Sequence, residues 1–433
     1  YALEWEGNVE ASLEGRYRWQ SEGGAMELLT SEPGRKTYRI RHMADFLTIV
    51  VSAPEDTAAD FQQLQLWIPG TAETKPNWNP AYVEELKAFG AIRFMGLSET
   101  NNSSITDWES RSRPDGFGFR RTGAPIEWMV ELANLTGTDP WFCLPHQAHD
   151  DYVRNFARIV QEQLDPELHI YMQYSNEVRN RAFSQYGYTV RKERELGLTP
   201  PEQPEELQGI WYAGKRVQEM LEIWQEEIRN PQTRLTGLIT GIPRNDRSTR
   251  ESEAYIQAAG DKIQAFATAP YPGLSAGRKL NRPFSEMSVD DLLDFLFEDQ
   301  IKVIRPELLR VKELTERYGL RMLSYEGGQH LSAFGGGISE AEMDAFERLA
   351  TEAQAHPRMA EFYRLHLNDW TRVTDGIYMH FTWFGAVEGK FAFGMKPGPF
   401  VKTEDYPKAR AGMEMLQADH LPLEEINPIQ DTP

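Results

Sequence analysis

Short runs in which hydrophobic and polar residues alternate open the chain: Leu3 and Trp5, then Val9, Ala11 and Leu13, then Tyr38 and Ile40 around Arg39 and Arg41. A period of two puts every second side chain on one face, so these runs predict strands with one buried side. Gly7, Gly15, Gly23-Gly24 and Pro33-Gly34 punctuate them at turn spacing. Residues 1–70 are therefore expected to form a small antiparallel β unit.

From about residue 78 the texture changes. Short apolar runs at 92–95, 141–144, 170–174, 235–240, 265–269, 322–325 and 377–382 alternate with helical patterns such as 82–87, 126–135, 152–163, 207–228, 289–297 and 340–355. Repeated strand–helix units predict a parallel sheet covered by helices, and this many of them predict a (β/α)8 TIM barrel over residues 71–420. Seven strands are clear, and two candidates remain for the eighth. One is the stretch 64–68; the other is a first strand preceding Tyr1, with the β unit then an insertion between strands one and two. Pro200, Pro201 and Pro204 mark a loop, Gly327-Gly328 and Gly335 to Gly337 mark tight turning after the seventh strand, and residues 421–433 read as a C-terminal tail.

Composition narrows the function. With 433 residues, 40% of them hydrophobic and 26% charged, the chain can bury a large core, and it has no run approaching the ~18 apolar residues of a membrane span. A net charge of −20 repels phosphate backbones and anionic membranes, so neither a nucleic-acid partner nor membrane insertion is expected. The lone Cys143 excludes an intramolecular disulfide and a cysteine-rich zinc site. The chain begins at Tyr1 with no basic-then-apolar signal pattern, which reads as a processed or trimmed product; a secreted or periplasmic location is the expectation.

Two carboxylates end predicted strands, where barrel enzymes carry their chemistry. Glu177 closes the run Ile170-Tyr171-Met172-Gln173-Tyr174-Ser175-Asn176-Glu177, and Glu326 closes Met322-Leu323-Ser324-Tyr325-Glu326 ahead of Gly327-Gly328. Glycoside hydrolysis uses such a pair, one carboxylic acid to protonate the leaving oxygen and one carboxylate on the opposite face of the sugar.

Asn176-Glu177 at the end of the fourth barrel strand, with a Glu ending the seventh, resembles clan A of the retaining glycoside hydrolases. That resemblance implies Glu177 as general acid/base, Glu326 as nucleophile and Asn176 as the contact to the sugar 2-hydroxyl. It likewise implies Arg93 as the cation that holds the nucleophile ionised, Tyr271 as the aromatic that orients it, and Trp383 as the floor of the subsite where the bond is cut. The segments Tyr174-Ser175-Asn176-Glu177-Val178 with Asn180, Asp139-Pro140-Trp141-Phe142, Pro145-His146 before Asp150-Asp151-Tyr152, and Tyr325-Glu326-Gly327-Gly328-Gln329-His330-Leu331 are similar to a bacterial group often labelled cellulose-binding proteins, which carries a β insertion early in such a barrel. Two departures stand out: Arg179 occupies the place of an expected Trp, and the opening Gly-x-Asn strand is not found.

His146, His330 and His380 fall on different strand ends without metal-ligand spacing, so no metal or other cofactor is expected. His146 is a candidate sugar hydrogen-bonding residue, Gln329-His330 a candidate rim of the cleft, and Trp108, in a polar stretch, a candidate sugar platform. The partner expected is an oligo- or polysaccharide. The rival is a carbohydrate-binding protein without turnover on the same scaffold, against which the two strand-end glutamates argue.

Overall fold

A computed structural model of the protein describes residues 1–7, 9–16, 26–40, 46–52, 61–116, 119–201, 209–275, 282–333 and 337–417. The expected Gly23-Gly24 turn, Gly335 and Gly336 of the glycine loop, Pro204 and the tail at 421–433 lie outside the described residues. The chain divides into two compact units, Tyr1–Pro80 and Ala81–Pro433.

In the first unit, β1 (Ala2–Gly7), β2 (Glu10–Arg16), β3 (Met26–Glu32), β4 (Arg35–Ile40), β5 (Phe46–Ser52) and β6 (Phe61–Trp67) are all antiparallel. They form a four-stranded sheet, ordered β3-β4-β1-β6, and a β2-β5 pair. The period of two explains the core: Leu3 and Trp5 of β1, Ala11 and Leu13 of β2 and Tyr38 of β4 form one cluster, with Ile49, Leu64 and Leu66 packed against it. The Tyr38 hydroxyl accepts from the backbone N–H of Leu13 at 3.3 Å, tying the pair of strands to the larger sheet. The run 64–68 therefore belongs to this unit: Leu64 pairs with Trp5 and Leu66 with Leu3. As a candidate barrel strand it is corrected by that pairing, because its alternate leucines already face an apolar core.

The second unit is the α/β TIM-barrel-type domain. Its parallel sheet runs β7 (Ala91–Arg93), β8 (Asp139–Leu144), β9 (Ile170–Tyr174), β10 (Leu235–Thr240), β11 (Ala265–Thr268) and, beyond the short β12 (Gly273–Ser275), β13 (Arg321–Ser324). The short β14 (His330–Ser332) pairs with β12 outside this sheet. Both faces of the sheet are apolar, as parallel strands covered by helices require. Trp141, Cys143, Tyr171, Leu238, Ala265, Ala267, Leu323 and Tyr325 fill the inner face. On the outer face Phe142 packs on Phe156 of the helix Asp150–Gln163 and on Trp224 of the helix Ile210–Glu227.

The predicted strand at 377–382 shrinks to one bridge, Ser324 to Tyr378. Its backbone has other partners: Phe381 N–H donates to the Gly327 carbonyl, and Thr382 N–H and Met395 N–H bond Phe393 O and Thr382 O. Contact with β13 thus thins to the Ser324 N–H on Ile377 O, and at Thr382 the chain pairs with the loop at 393–395 instead. Behind this corner the helix Pro357–Val373 supplies a buried polar chain. Arg305 Nε and Gln300 Nε2 both donate to Asp369 Oδ2, at 2.8 and 2.7 Å. Gln300 Oε1 lies 2.8 Å from His366 Nδ1, whose Nε2 is 2.6 Å from the Tyr378 hydroxyl.

Candidate active site

Parallel strands bring all their C-terminal ends to one rim, and the chemistry-bearing side chains collect there. Arg93 ends β7, Glu177 follows β9 by three residues, Tyr271 follows β11, and Glu326 follows β13 by two. The Arg93 side chain is 6% exposed and its guanidinium works in several directions at once. One Nη donates to Asn176 Oδ1 at 2.7 Å and to Gln173 Oε1 at 3.2 Å, while the other reaches Glu326 Oε2 at 3.4 Å. Trp141 Nε1 also donates to Gln173 Oε1, at 3.0 Å, so the amide is fixed from two sides. Buried Cys143 places its thiol on the same oxygen at 3.6 Å, and burial pushes that thiol up from its ordinary range.

Glu177 is held at both oxygens. Tyr325 donates its hydroxyl to Oε1 at 2.8 Å and Asn180 donates to Oε2 at 2.9 Å. Glu177 and Ser175 adopt left-handed backbone, φ 43° and 54°, a conformation that L side chains other than Asn and Asp seldom take. Strain of that kind persists only where surrounding contacts enforce it, and it clusters at functional sites. After Glu326 the chain must be glycine: a Cβ on Gly327 would stand 2.5 Å from the Tyr378 hydroxyl.

Burial pushes the Glu326 carboxyl up to about 7, with Arg93 and a hydrogen bond from Tyr271 pulling it down and Glu177 pushing it further up. Arg93 lowers the Glu326 carboxyl, as a neighbouring cation does, without bringing it back to its ordinary range. The guanidinium divides its donors among three side chains and stands 3.4 Å from Glu326, so desolvation outweighs it.

Glu177 and Glu326 line one cavity of about 600 Å3, together with Asn180, Arg244, Tyr271, His330 and Phe391. Glu326 also lines a second space of about 350 Å3 that includes Arg93, Tyr325, His380 and Trp383. The volumes suit a few sugar rings.

No protein-family model matches the chain, and no curated protein matches it either. Solved structures do resemble it in fold. A family 51 arabinofuranosidase from Xanthomonas axonopodis pv. citri is 11% identical with a TM-score of 0.41, the likeness covering 69% of this chain and 58% of that one. The chain therefore spans less than two thirds of that enzyme. A family 51 alpha-L-arabinofuranosidase from Bifidobacterium longum is 10% identical at a TM-score of 0.47, over 78% of this chain and 67% of that one. A family 1 glucosidase from Thermotoga maritima is 10% identical at 0.39, over 78% and 87%. At such values the reading of the site rests on its own geometry.

Not every residue singled out in the sequence joins the cavities. His146 is 1% exposed, packs edge-on against Tyr188 and lines neither space; burial lowers its pKa to about 4. The Trp108 ring is half-buried, edge-on to Tyr152 and covered by the Arg111 guanidinium 4.2 Å from its centroid, which occupies the face a sugar would need. Trp383 lines the smaller space, its indole N–H donating to Glu85 Oε1 at 2.7 Å. Conversely, Arg244 and the aromatic wall of Phe381, Phe391 and Phe393 were not singled out, and Tyr325 and Asn180 stood out only as members of the segments that carry the resemblance. Phe391, 55% exposed, offers an open ring face in the larger cavity. Exposed Phe in a loop was the available signal.

His146, His330 and His380 do not form a metal-ligand group among the described residues. The group that does is Asp107, His149 and Asp151, all exposed, with ligand atoms within 4.8 Å of one another. Its His149 Nδ1 is already 2.8 Å from Asp107.

Proposed function

We propose that the protein is a retaining glycoside hydrolase acting on β-linked glycans. The observation that carries this reading is that two strand-end glutamates share one cavity while a buried cation, Arg93, stands at the carboxyl of Glu326 and not at that of Glu177. Two carboxyls in unlike surroundings suit unlike roles.

In the first step Glu326 carboxylate attacks the anomeric carbon as the bond to the leaving oxygen breaks, and the Glu177 proton passes to that oxygen. The products are a free sugar hydroxyl and a glycosyl ester on Glu326. In the second step water adds to the same carbon, gives its proton to Glu177 carboxylate and releases Glu326. Asn176, fixed by Arg93, is suited to bonding the 2-hydroxyl, and Tyr271 to orienting Glu326. Phe391 and Trp383 are suited to stacking on sugar faces. Among the described residues no helix is long and apolar enough to cross a membrane. A polymeric substrate fits an exported protein.

The test uses an activated aryl β-glycoside and azide. Glu177→Ala should keep its first step and be accelerated by azide to the β-glycosyl azide, whereas Glu326→Ala should yield the α-azide. If both variants hydrolysed a β-glycan at the parental rate, the roles would be wrong. If the parent bound glycans and hydrolysed none, a carbohydrate-binding protein would be the correct reading.

A further inference from the structure

Arg244 stands in the loop after β10, in the cavity that holds Glu177 and Glu326. Its Nε donates to Glu307 Oε2 at 2.7 Å, and that carboxylate has 0% side-chain exposure. Its backbone carbonyl, and that of Pro243, accept from the Arg310 guanidinium. Among the described residues neither Nη nitrogen has a hydrogen-bond partner, and the side chain is 43% exposed. The stem and Nε are thus held by Glu307, and the side chain lines the cavity with both Nη groups unpaired.

A neutral sugar asks for ring faces and hydroxyl partners, which Phe391, Phe393, Tyr271 and Asn180 already offer. A guanidinium held at Nε, with both Nη groups unpaired beside a cavity, matches the planar oxygens of a carboxylate, or those of a sulfate ester. Tuning of the glutamates is a poorer account, since the compensating cation of Glu326 is Arg93, and the Arg244 charge falls instead on His330, whose pKa is lowered chiefly by burial. We infer that the glycan bound here carries an acidic substituent, a carboxylate or a sulfate ester, and that the Arg244 fork recognises it. The inference rests on the glycoside hydrolase reading and names its substrate class.

Four probes make two matched pairs: a β-linked oligomannuronate with its carboxyl-reduced counterpart, and a sulfated β-galactan oligosaccharide with its desulfated form. The parent should show kcat/KM about 10- to 100-fold higher for the acidic member of one pair, the size of a charge-assisted bidentate contact. The pair that responds tells carboxylate from sulfate. Arg244→Met should bring that ratio close to one, and Arg244→Lys, with charge but no fork, should fall between.

Because Arg244→Met leaves the buried Glu307 unpaired and can impair folding, the dissociation constant of the acidic member is also measured by calorimetry for Glu326→Ala with and without Arg244→Lys, where weakening of tenfold or so is expected. Parental ratios at or below one in both pairs, or a ratio that neither Arg244 variant changes, overturn the inference. Tighter, Arg244-dependent binding of an acidic probe without new reducing ends would sustain it and overturn hydrolysis instead.

Discussion

The Tyr325 hydroxyl donates to Glu177 Oε1 at 2.8 Å, although Tyr325 is the chain neighbour of Glu326. The end of β13 therefore serves both glutamates, one through the residue itself and one through the residue before it.

Removing that hydroxyl tests the acid role proposed for Glu177. Tyr325→Phe keeps the ring beneath Arg93, whose guanidinium carbon lies 5.1 Å from the ring centroid, and deletes one hydrogen bond to a carboxylate. Such a bond is worth about 1.5–3 kcal/mol, so kcat on a natural glycan should fall by roughly 10- to 100-fold. On an activated aryl glycoside, whose leaving group needs little protonation, the loss should be much smaller. Equal losses on both substrates in steady-state kinetics would refute the assignment.

The raised Glu326 carboxyl makes two statements about pH. A nucleophile must be ionised, so kcat/KM should fall about tenfold per unit on the acid side of about 7, with an apparent value that belongs to the interacting pair. For stability the folded protein favours the protonated form: the contribution is full below the ordinary value of 4.5 and is lost as pH rises through about 7. Glu326→Gln should therefore lack a fall in Tm that the parent shows between those values, at ~1.4 kcal/mol per unit of pKa difference. Identical Tm profiles would argue against a buried, raised carboxyl.

Gly327→Ala tests how closely Glu326 is positioned. Its new methyl would meet the Tyr378 hydroxyl at 2.5 Å and push the adjoining backbone. A displacement of about 1 Å at reacting groups can cost about 100-fold, so kcat should drop by that order while far-ultraviolet circular dichroism is unchanged. Adding Tyr378→Phe, which removes the hydroxyl oxygen, should restore part of the loss.

The buried Arg305–Asp369 pair should matter to stability. Asp369→Ala leaves the Arg305 guanidinium uncompensated in the interior, at a cost of about 3–5 kcal/mol by denaturant unfolding. Asp369→Leu with Arg305→Met should recover much of it; a double variant less stable than Asp369→Ala would contradict the argument.

Much of this arrangement was legible in the sequence because it follows local periods. Val9, Ala11 and Leu13 alternate and do share a core, and the apolar runs at 141–144 and 170–174 are strands buried on both faces. Arg93 ends β7, Asn176 and Glu326 each follow their strands by two residues, and parallel pairing brings them within hydrogen-bond reach. What was not legible depends on which loop folds against which. The run 377–382 has strand-like composition, yet its hydrogen bonds are split between Ser324 and Gly327, at and just after the end of β13, and the loop residues Phe393 and Met395. Trp108 looked solvent-facing because its neighbours are polar, but one of those neighbours, Arg111, lies on its ring. Arg244 and Phe391 meet Glu177 only through the tertiary fold, across gaps in sequence that no local pattern spans.

The single thiol of the chain, shut in behind Arg93 and held on the Gln173 oxygen, has a practical consequence. Maleimides react with accessible thiolate, and Cys143 offers neither access nor ready ionisation. The native chain should stay unlabelled, so a cysteine placed at exposed Leu135 or Leu196 would carry a fluorophore alone. Dye-reported titrations with glycans could then be run on the otherwise unaltered protein.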